Sequence, residues 1–296
     1  MSSAADVDGR RTVGEACASV GLRGGDAEPV RLAENGTWRL PGQCVAVRVG
    51  RGGRLAGMKR EVWVARWLEG QGVPVVRPLD VDQPVELRGR PVTFWEELPP
   101  HQHGSAEDVA VLLRRLHGLP APASGLGALD PFTGIAARIG AATTLSPDDR
   151  AWLRGLHREL AGAWRERPAG LPACAVHGDA WPGNFVRTEG GQRLVLDLER
   201  FSVGPPEWDL TSTAVRHRTT GAVTSAEYRG FCDAYGFDVT EWPGYGTLAR
   251  IRELRMVTYA ARHAGSNPAC AGEARHRVAC LRGHFGPRPW RWRGIL

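Results

Sequence analysis

Lysine is almost missing from this chain: 296 residues hold one, Lys59, against 37 arginines. The mononucleotide loop G-x-x-x-x-G-K-[ST] is therefore excluded, because Lys59 stands between Met58 and Arg60. No G-x-G-x-x-G and no G-x-S-x-G occurs either, which removes the dinucleotide fingerprint and the hydrolase elbow. Cysteine is sparse, and none of the six sits at C-x-x-C spacing, so neither a zinc knuckle nor a disulfide framework is written here. They read as buried, reduced thiols without chemistry. No apolar run approaches the roughly 18 residues of a spanning helix, which argues against a membrane protein. The first fifty residues show no basic, apolar, small-residue series of a secretory signal, so the cytoplasm is the expected compartment.

What is present is enough chain for about two lobes. Residues 1–25 are polar and glycine-containing, and read as a loose leader. Residues 26–98 form the first expected lobe. Short strand-like segments at 29–33, 37–40 and 44–49 are separated by the turn signals Asn35-Gly36 and Pro41-Gly42. A helix follows over 58–71, then a hairpin, 79–87 with 91–98, around Arg88-Gly89-Arg90. Residues 99–296 read as a second, mainly helical lobe. Ser105 and Ser146 begin capped helices, and further helices are expected over 224–235, 247–263 and 268–282. The fold class is α+β: an antiparallel sheet with one main helix, then helices.

The helical region is interrupted once. His177-Gly178-Asp179-Ala180-Trp181-Pro182-Gly183-Asn184 reads as a loop leading into a strand, and a tight turn at Glu189-Gly190-Gly191 leads to an apolar strand ending at Asp197. Phosphoryl transfer needs a carboxylate to orient the nucleophile and oxygen ligands for Mg²⁺. One amide and one carboxylate suffice for an ion that keeps its waters.

His177-Gly178-Asp179-x4-Asn184 followed by Asp197 resembles the catalytic loop and metal segment of the aminoglycoside phosphotransferase family, enzymes of protein-kinase-like fold. The resemblance implies Asp179 as the catalytic base, and Asn184 and Asp197 as Mg²⁺ ligands. It also implies that Asp209, within Gly204-Pro205-Pro206-Glu207-Trp208-Asp209-Leu210, braces the catalytic loop. In the first lobe, Asn35-Gly36-Thr37 resembles the turn that covers the nucleotide. Val45-Ala46-Val47-Arg48 resembles the third-strand motif, with Arg48 where kinases carry lysine, and Glu61 matches the helix acid that pairs with it. Thr93-Phe94-Trp95-Glu96-Glu97 resembles the hinge, assigning Glu96 and Leu98 to the base. His117 ends the helix expected to pack beneath the catalytic loop. The implied cofactors are ATP or GTP with Mg²⁺, and the implied partner is a small hydroxylated acceptor. Twelve residues separate Asp197 from Asp209 and no A-P-E follows, leaving no room for a protein-kinase activation loop.

Other residues carry open readings. His177 is expected to hold the loop rather than move protons. Glu199 is either near the metal or an exposed strand-end acid. His101 and His103 read as a solvated loop, not a metal site. Trp181 and Trp242 are candidates for lining the acceptor pocket, whereas Trp63, Trp67, Trp152 and Trp164 read as packing residues. The basic, aromatic tail over 282–293 is expected to pack on the second lobe rather than bind nucleic acid. The acceptor is left open between an antibiotic and a metabolic alcohol, sugar or nucleoside, beside a catalytically silent nucleotide-binding homologue. The oligomeric state is not legible.

Overall fold

The computed structural model describes residues 4–32 and 36–295. Its elements, in chain order, begin with α1 (Ala4–Ser19), β1 (Glu28–Leu32), β2 (Gly36–Leu40), β3 (Val45–Val49), α2 (Leu55–Gly70), β4 (Val85–Leu87), β5 (Arg90–Glu96) and β6 (His101–His103). There follow α3 (Ala106–His117), α4 (Ile135–Ala141), α5 (Pro147–Arg165), β7 (Cys174–Val176), β8 (Phe185–Thr188), β9 (Arg193–Val195) and β10 (Ser202–Gly204). The chain finishes with α6 (Glu207–Arg218), α7 (Ser225–Tyr235), α8 (Tyr245–Ser266) and α9 (Ala271–Leu281).

Two compact units emerge, residues 1–104, 122–126 and 183–201 in the first, the remainder in the second. The stretch 183–201, expected with the helical region, groups with the sheet instead. The reason is local pairing: β8 pairs with both β6 and β9, and Val195 donates to the Pro74 carbonyl at 3.0 Å.

In the first unit the sheet order is β1-β2-β3-β5-β4, all antiparallel. Alternation along β3 buries Val45, Val47 and Val49 on one face. Trp38, Leu40 and Phe94 join them in one core with Val13, Ala16 and Cys17 of α1. Each large side chain so buried contributes about 1.5–3 kcal/mol. The leader, expected to be loose, is thus a helix packed on the sheet. Its apolar contacts come from small residues, which leave a faint periodicity in the sequence. The 79–87 strand contracts to Val85–Leu87; Pro84, just before it, supplies no N–H for a ladder. His101–His103, expected as a loop, is an exposed edge strand paired to β8. Of the six thiols, Cys44 is exposed and Cys232 half-buried, correcting the expectation that all are buried.

In the second unit α8 lies against α4, α5, α6 and α9. Its faces supply Leu248, Ile251, Leu254, Val257, Ala260 and Ala264 to the core. Ser105 caps α3 and Thr224 caps α7, each with a full capping box. β7 and β10 form a short antiparallel ribbon, so Gly204 pairs with Cys174. The Cys174 thiol, desolvated there, is pushed up to about 12. No helix was expected over 207–218; α6 starts directly after Pro205-Pro206, since proline is tolerated at a helix start where its missing N–H costs nothing.

Candidate active site

In the first unit Arg48 faces outward from β3, and α2 offers Glu61 to it. Arg48 Nη1 donates to Glu61 Oε2 at 2.7 Å. The carboxylate is 2% exposed and the guanidinium 26%. Burial raises the Glu61 pKa, Arg48 opposes the rise, and the charges of Glu199 and Asp197 add to it. An acid held in such a place stays ionised only through its cation, so Arg48 fixes Glu61 and Glu61 aims Arg48. The sequence match of Arg48 to Glu61 is therefore a physical contact. Two further arginines, which sequence reasoning missed, extend it. Arg54 Nη2 stands 3.0 Å from Glu199 Oε1 and 3.7 Å from Glu61 Oε1, and Arg60 donates to the Glu199 carbonyl at 2.8 Å. Glu199 is thus engaged by arginines rather than standing free in solvent.

Asn184 and Asp197 also belong to this unit. Asn184 precedes β8 and is 6% exposed; Asp197 follows β9 and is exposed. The Leu196 N–H donates to the Asn184 carbonyl at 2.8 Å, so the residue before Asp197 is bonded to Asn184 itself. Asp197 adopts φ 53°, a left-handed conformation that aspartate tolerates better than most residues. An amide oxygen and a carboxylate are hard donors suited to Mg²⁺. Among the described residues no group of three or more His, Cys, Asp and Glu is placed to hold a metal. A cation at Asn184 and Asp197 would fill its shell with water and phosphate oxygens.

At the end of β5 the chain turns through Glu96, Glu97 and Leu98. Glu97 N–H is spent on the Cys44 carbonyl at 2.8 Å, whereas Leu98, among the described residues, enters no backbone hydrogen bond. Glu96 and Leu98 border a cavity of about 260 Å³ with residues 72–77. Neither Arg48, Glu61, Asn184 nor Asp197 lines it, so it is not where phosphates would meet those groups. Asn35 lies outside the described residues.

The second unit holds Asp179 at the end of β7, half-buried. Its loop is fixed by Asp209. Oδ2 of Asp209 accepts from the His177 N–H at 2.6 Å and Oδ1 from the Gly178 N–H at 2.9 Å. His117 Nε2 lies 3.3 Å from Oδ2, and Trp208 Nε1 donates to the Gly178 carbonyl at 3.0 Å. Fully buried, Asp209 would titrate high, but the hydrogen bond and charge of His117, followed by His177 and Arg252, hold its pKa below the usual carboxylate value. Gly178 has φ 83°, a conformation that favours glycine. His177 is buried, and its Nδ1 accepts from the Asp179 N–H at 3.2 Å. That bond ties the ring to the backbone of the loop.

Arg252 is a residue the sequence did not single out. Its Nη2 donates to the Trp208 carbonyl at 2.6 Å, and its guanidinium lies 4.1 Å from the Trp208 ring centroid. In so arginine-rich a chain no spacing marks it. Of the tryptophans proposed for the acceptor, Trp181 is 36% exposed and stands 6.0 Å from Arg216. Trp242 is buried, donates to the Ala169 carbonyl at 2.9 Å, and borders a cavity of about 550 Å³ with Trp164 and Glu207.

The family model for the phosphotransferase enzyme family matches residues 26–253. No curated protein sequence matches the chain. Among solved structures, a choline/ethanolamine kinase family protein from Mesorhizobium loti is 21% identical, with a TM-score of 0.63 and 94% of each chain covered. The aminoglycoside phosphotransferase APH(3'')-Id from Streptomyces rimosus is 19% identical, with a TM-score of 0.62, covering 83% of this chain and 98% of its own. The amicoumacin kinase hAmiN, solved with AMP-PNP, Ca²⁺ and Ami, is 12% identical with a TM-score of 0.69, over 94% and 96%. These likenesses show a protein-kinase-like fold.

Proposed function

The chain belongs to the phosphotransferase enzyme family, and from that premise we propose that it moves the γ-phosphoryl group of ATP or GTP to a hydroxyl of a small molecule, with an antibiotic as the favoured acceptor class. The observation that carries the reading is the backbone bond joining Leu196 to Asn184, which holds two oxygen-donor residues on neighbouring strand ends of the unit that also carries the Arg48–Glu61 pair. Asp179 accepts the proton of the acceptor hydroxyl as its oxygen attacks phosphorus. Arg48, aimed by Glu61, grips the α- and β-phosphates through its planar fork. The Leu98 backbone amide and the Glu96 carbonyl meet the base. Asn184 and Asp197 hold Mg²⁺, which when bound neutralises phosphate charge. A nucleoside triphosphate donor supports the cytoplasm as its compartment.

The antibiotic reading is supported over a metabolic one by streptomycin bound with ADP in APH(3'')-Id and by Ami bound in the amicoumacin kinase hAmiN; the choline-kinase likeness keeps amino alcohols as the alternative. Nucleoside diphosphate release is measured against a panel of antibiotics, amino alcohols, sugars and nucleosides. At least one acceptor should give turnover in the wild type and about 10²–10⁴-fold less with Asp179→Asn, with nucleotide affinity retained. Equal rates for wild type and variant on every acceptor would overturn the assignment.

A further inference from the structure

A second concave region lies in the helical unit, about 1070 Å³ in volume. It is bordered by the last turn of α6, the first turns of α7 and α8, and the tail at 288–292. The side chains that matter there are His217, Arg218, Arg250, Arg288 and Arg291, and no acidic residue lines it. Acids stand behind or at the rim. Glu253, fully buried, takes Arg288 in a two-point pair at 2.7 and 2.7 Å. Glu159 pairs with Arg250 at 2.7 Å, and the charge of Arg218 helps lower the Asp238 pKa. Arg218 also donates to Thr240 at 2.9 Å. Arg291, among the described residues, has no hydrogen-bond or ion-pair partner.

A guanidinium carries five N–H donors. The bonds just named use one each of Arg218 and Arg250, two of Arg288 and none of Arg291, so most donors bordering the cavity are unspent. The wall is also fixed. Trp290 N–H donates to the Thr219 carbonyl at 2.7 Å, the Trp290 and Trp292 rings stack at 5.4 Å, and Trp292 is buried. The tail is held on its unit, and in packing there it places two arginines at the cavity.

The cavity opens at the end of α6 opposite the anchor of the Asp179 loop. α6 is 12 residues long, about 18 Å. Asp209, in its first turn, holds the loop of Asp179, whereas the cavity lies at its far end. Clustered arginines with unspent N–H donors, Arg291 above all, suit phosphate oxygens. The volume, near the upper limit for small-molecule pockets, suits a ligand larger than a single phosphate. We propose that this cavity binds a small anion bearing two or more phosphate groups, at a site distinct from the one proposed at Arg48.

The probe is inorganic tripolyphosphate, titrated calorimetrically into the full chain, with the Arg48→Ala variant as the control for binding at the catalytic phosphates. The cavity site should saturate alike in wild type and in Arg48→Ala, with binding at the catalytic phosphates weakened only in Arg48→Ala. Arg218→Ala/Arg291→Ala should bind at least ~10-fold more weakly, as loss of charge-assisted bonds requires, while its melting temperature and its turnover on any acceptor stay unchanged. Absence of saturable binding in the wild type, or equal binding by the double variant, overturns the proposal. So does loss of all saturable binding in Arg48→Ala. An oligothymidylate that binds through Arg218 and Arg291 about 100-fold more tightly than tripolyphosphate would make the groove a single-strand channel and overturn it as well.

Discussion

At the scale of single residues, the exchange of lysine for arginine at position 48 sets what Glu61 can tolerate. The carboxylate is 2% exposed and its pKa is raised by burial, so removing the cation strands a charge. Breaking a buried pair typically costs about 3–5 kcal/mol, and the partial exposure of Arg48 places this case at or below the lower end of that range. Arg48→Ala should therefore lower the melting temperature, and Glu61→Gln on top of it should restore most of the loss. Arg48→Lys should keep the fold and raise the nucleotide KM, because a point charge replaces a bidentate fork. Calorimetric melts and steady-state kinetics separate the two effects. Additive losses in the double variant would mean that Arg48 and Glu61 are not energetically coupled.

At the scale of elements, the first turn of α6 and the loop after β7 behave as one piece. Asp209 satisfies the His177 and Gly178 amides at once. A buried carboxyl with a depressed pKa gives stability that is fully present above its unfolded value of 3.8 and is lost as pH falls through the lower folded value. Melting temperature followed from pH 6 downward should thus fall more steeply below about pH 4 in the wild type than in Asp209→Asn, which starts lower and flatter. Gly178→Ala, at φ 83°, should cost about 1–2 kcal/mol and reduce turnover by displacing Asp179.

The same two elements show what a sequence can and cannot disclose. The loop stood out because His177, Asp179, Asn184 and Asp197 stand at a fixed spacing that resembles a family motif. Position 209 was legible as an acid with a role. The helix that carries Asp209 was not, since Pro205-Pro206 argues for a turn and α6 buries polar Thr211 and Thr213 beside Trp208 and Leu210, blurring its apolar face. The first helix was missed for a related reason: Ala16 and Cys17 are too small to mark a stripe, and Gly9 and Gly14 weaken the helical signal. Gly9 sits in α1 where an added Cβ would stand 2.9 Å from the Trp38 ring, so what reads as a helix breaker is a close approach to the sheet.

At the scale of the whole molecule, the segment 183–201 decides how labour is divided. It leaves the helical region in sequence and joins the sheet-bearing unit, taking Asn184 and Asp197 with it. The residues assigned to nucleotide and metal, Arg48, Glu61, Leu98, Asn184 and Asp197, then all belong to one unit. Asp179 and the α6 brace belong to the other. Binding and chemistry should separate along that line. Titration of a non-hydrolysable triphosphate with Mg²⁺ should give wild-type affinity in Asp179→Asn. Asp197→Asn should lose the Mg²⁺-dependent part of that affinity, about 10-fold or more, since one neutral amide cannot replace a carboxylate ligand of a hard cation. Both variants should lose most of their turnover, for different reasons. Equal nucleotide affinity in the presence and absence of Mg²⁺ for wild type and Asp197→Asn alike would show that Asp197 holds no metal, and with it the assignment of Asn184 would fall.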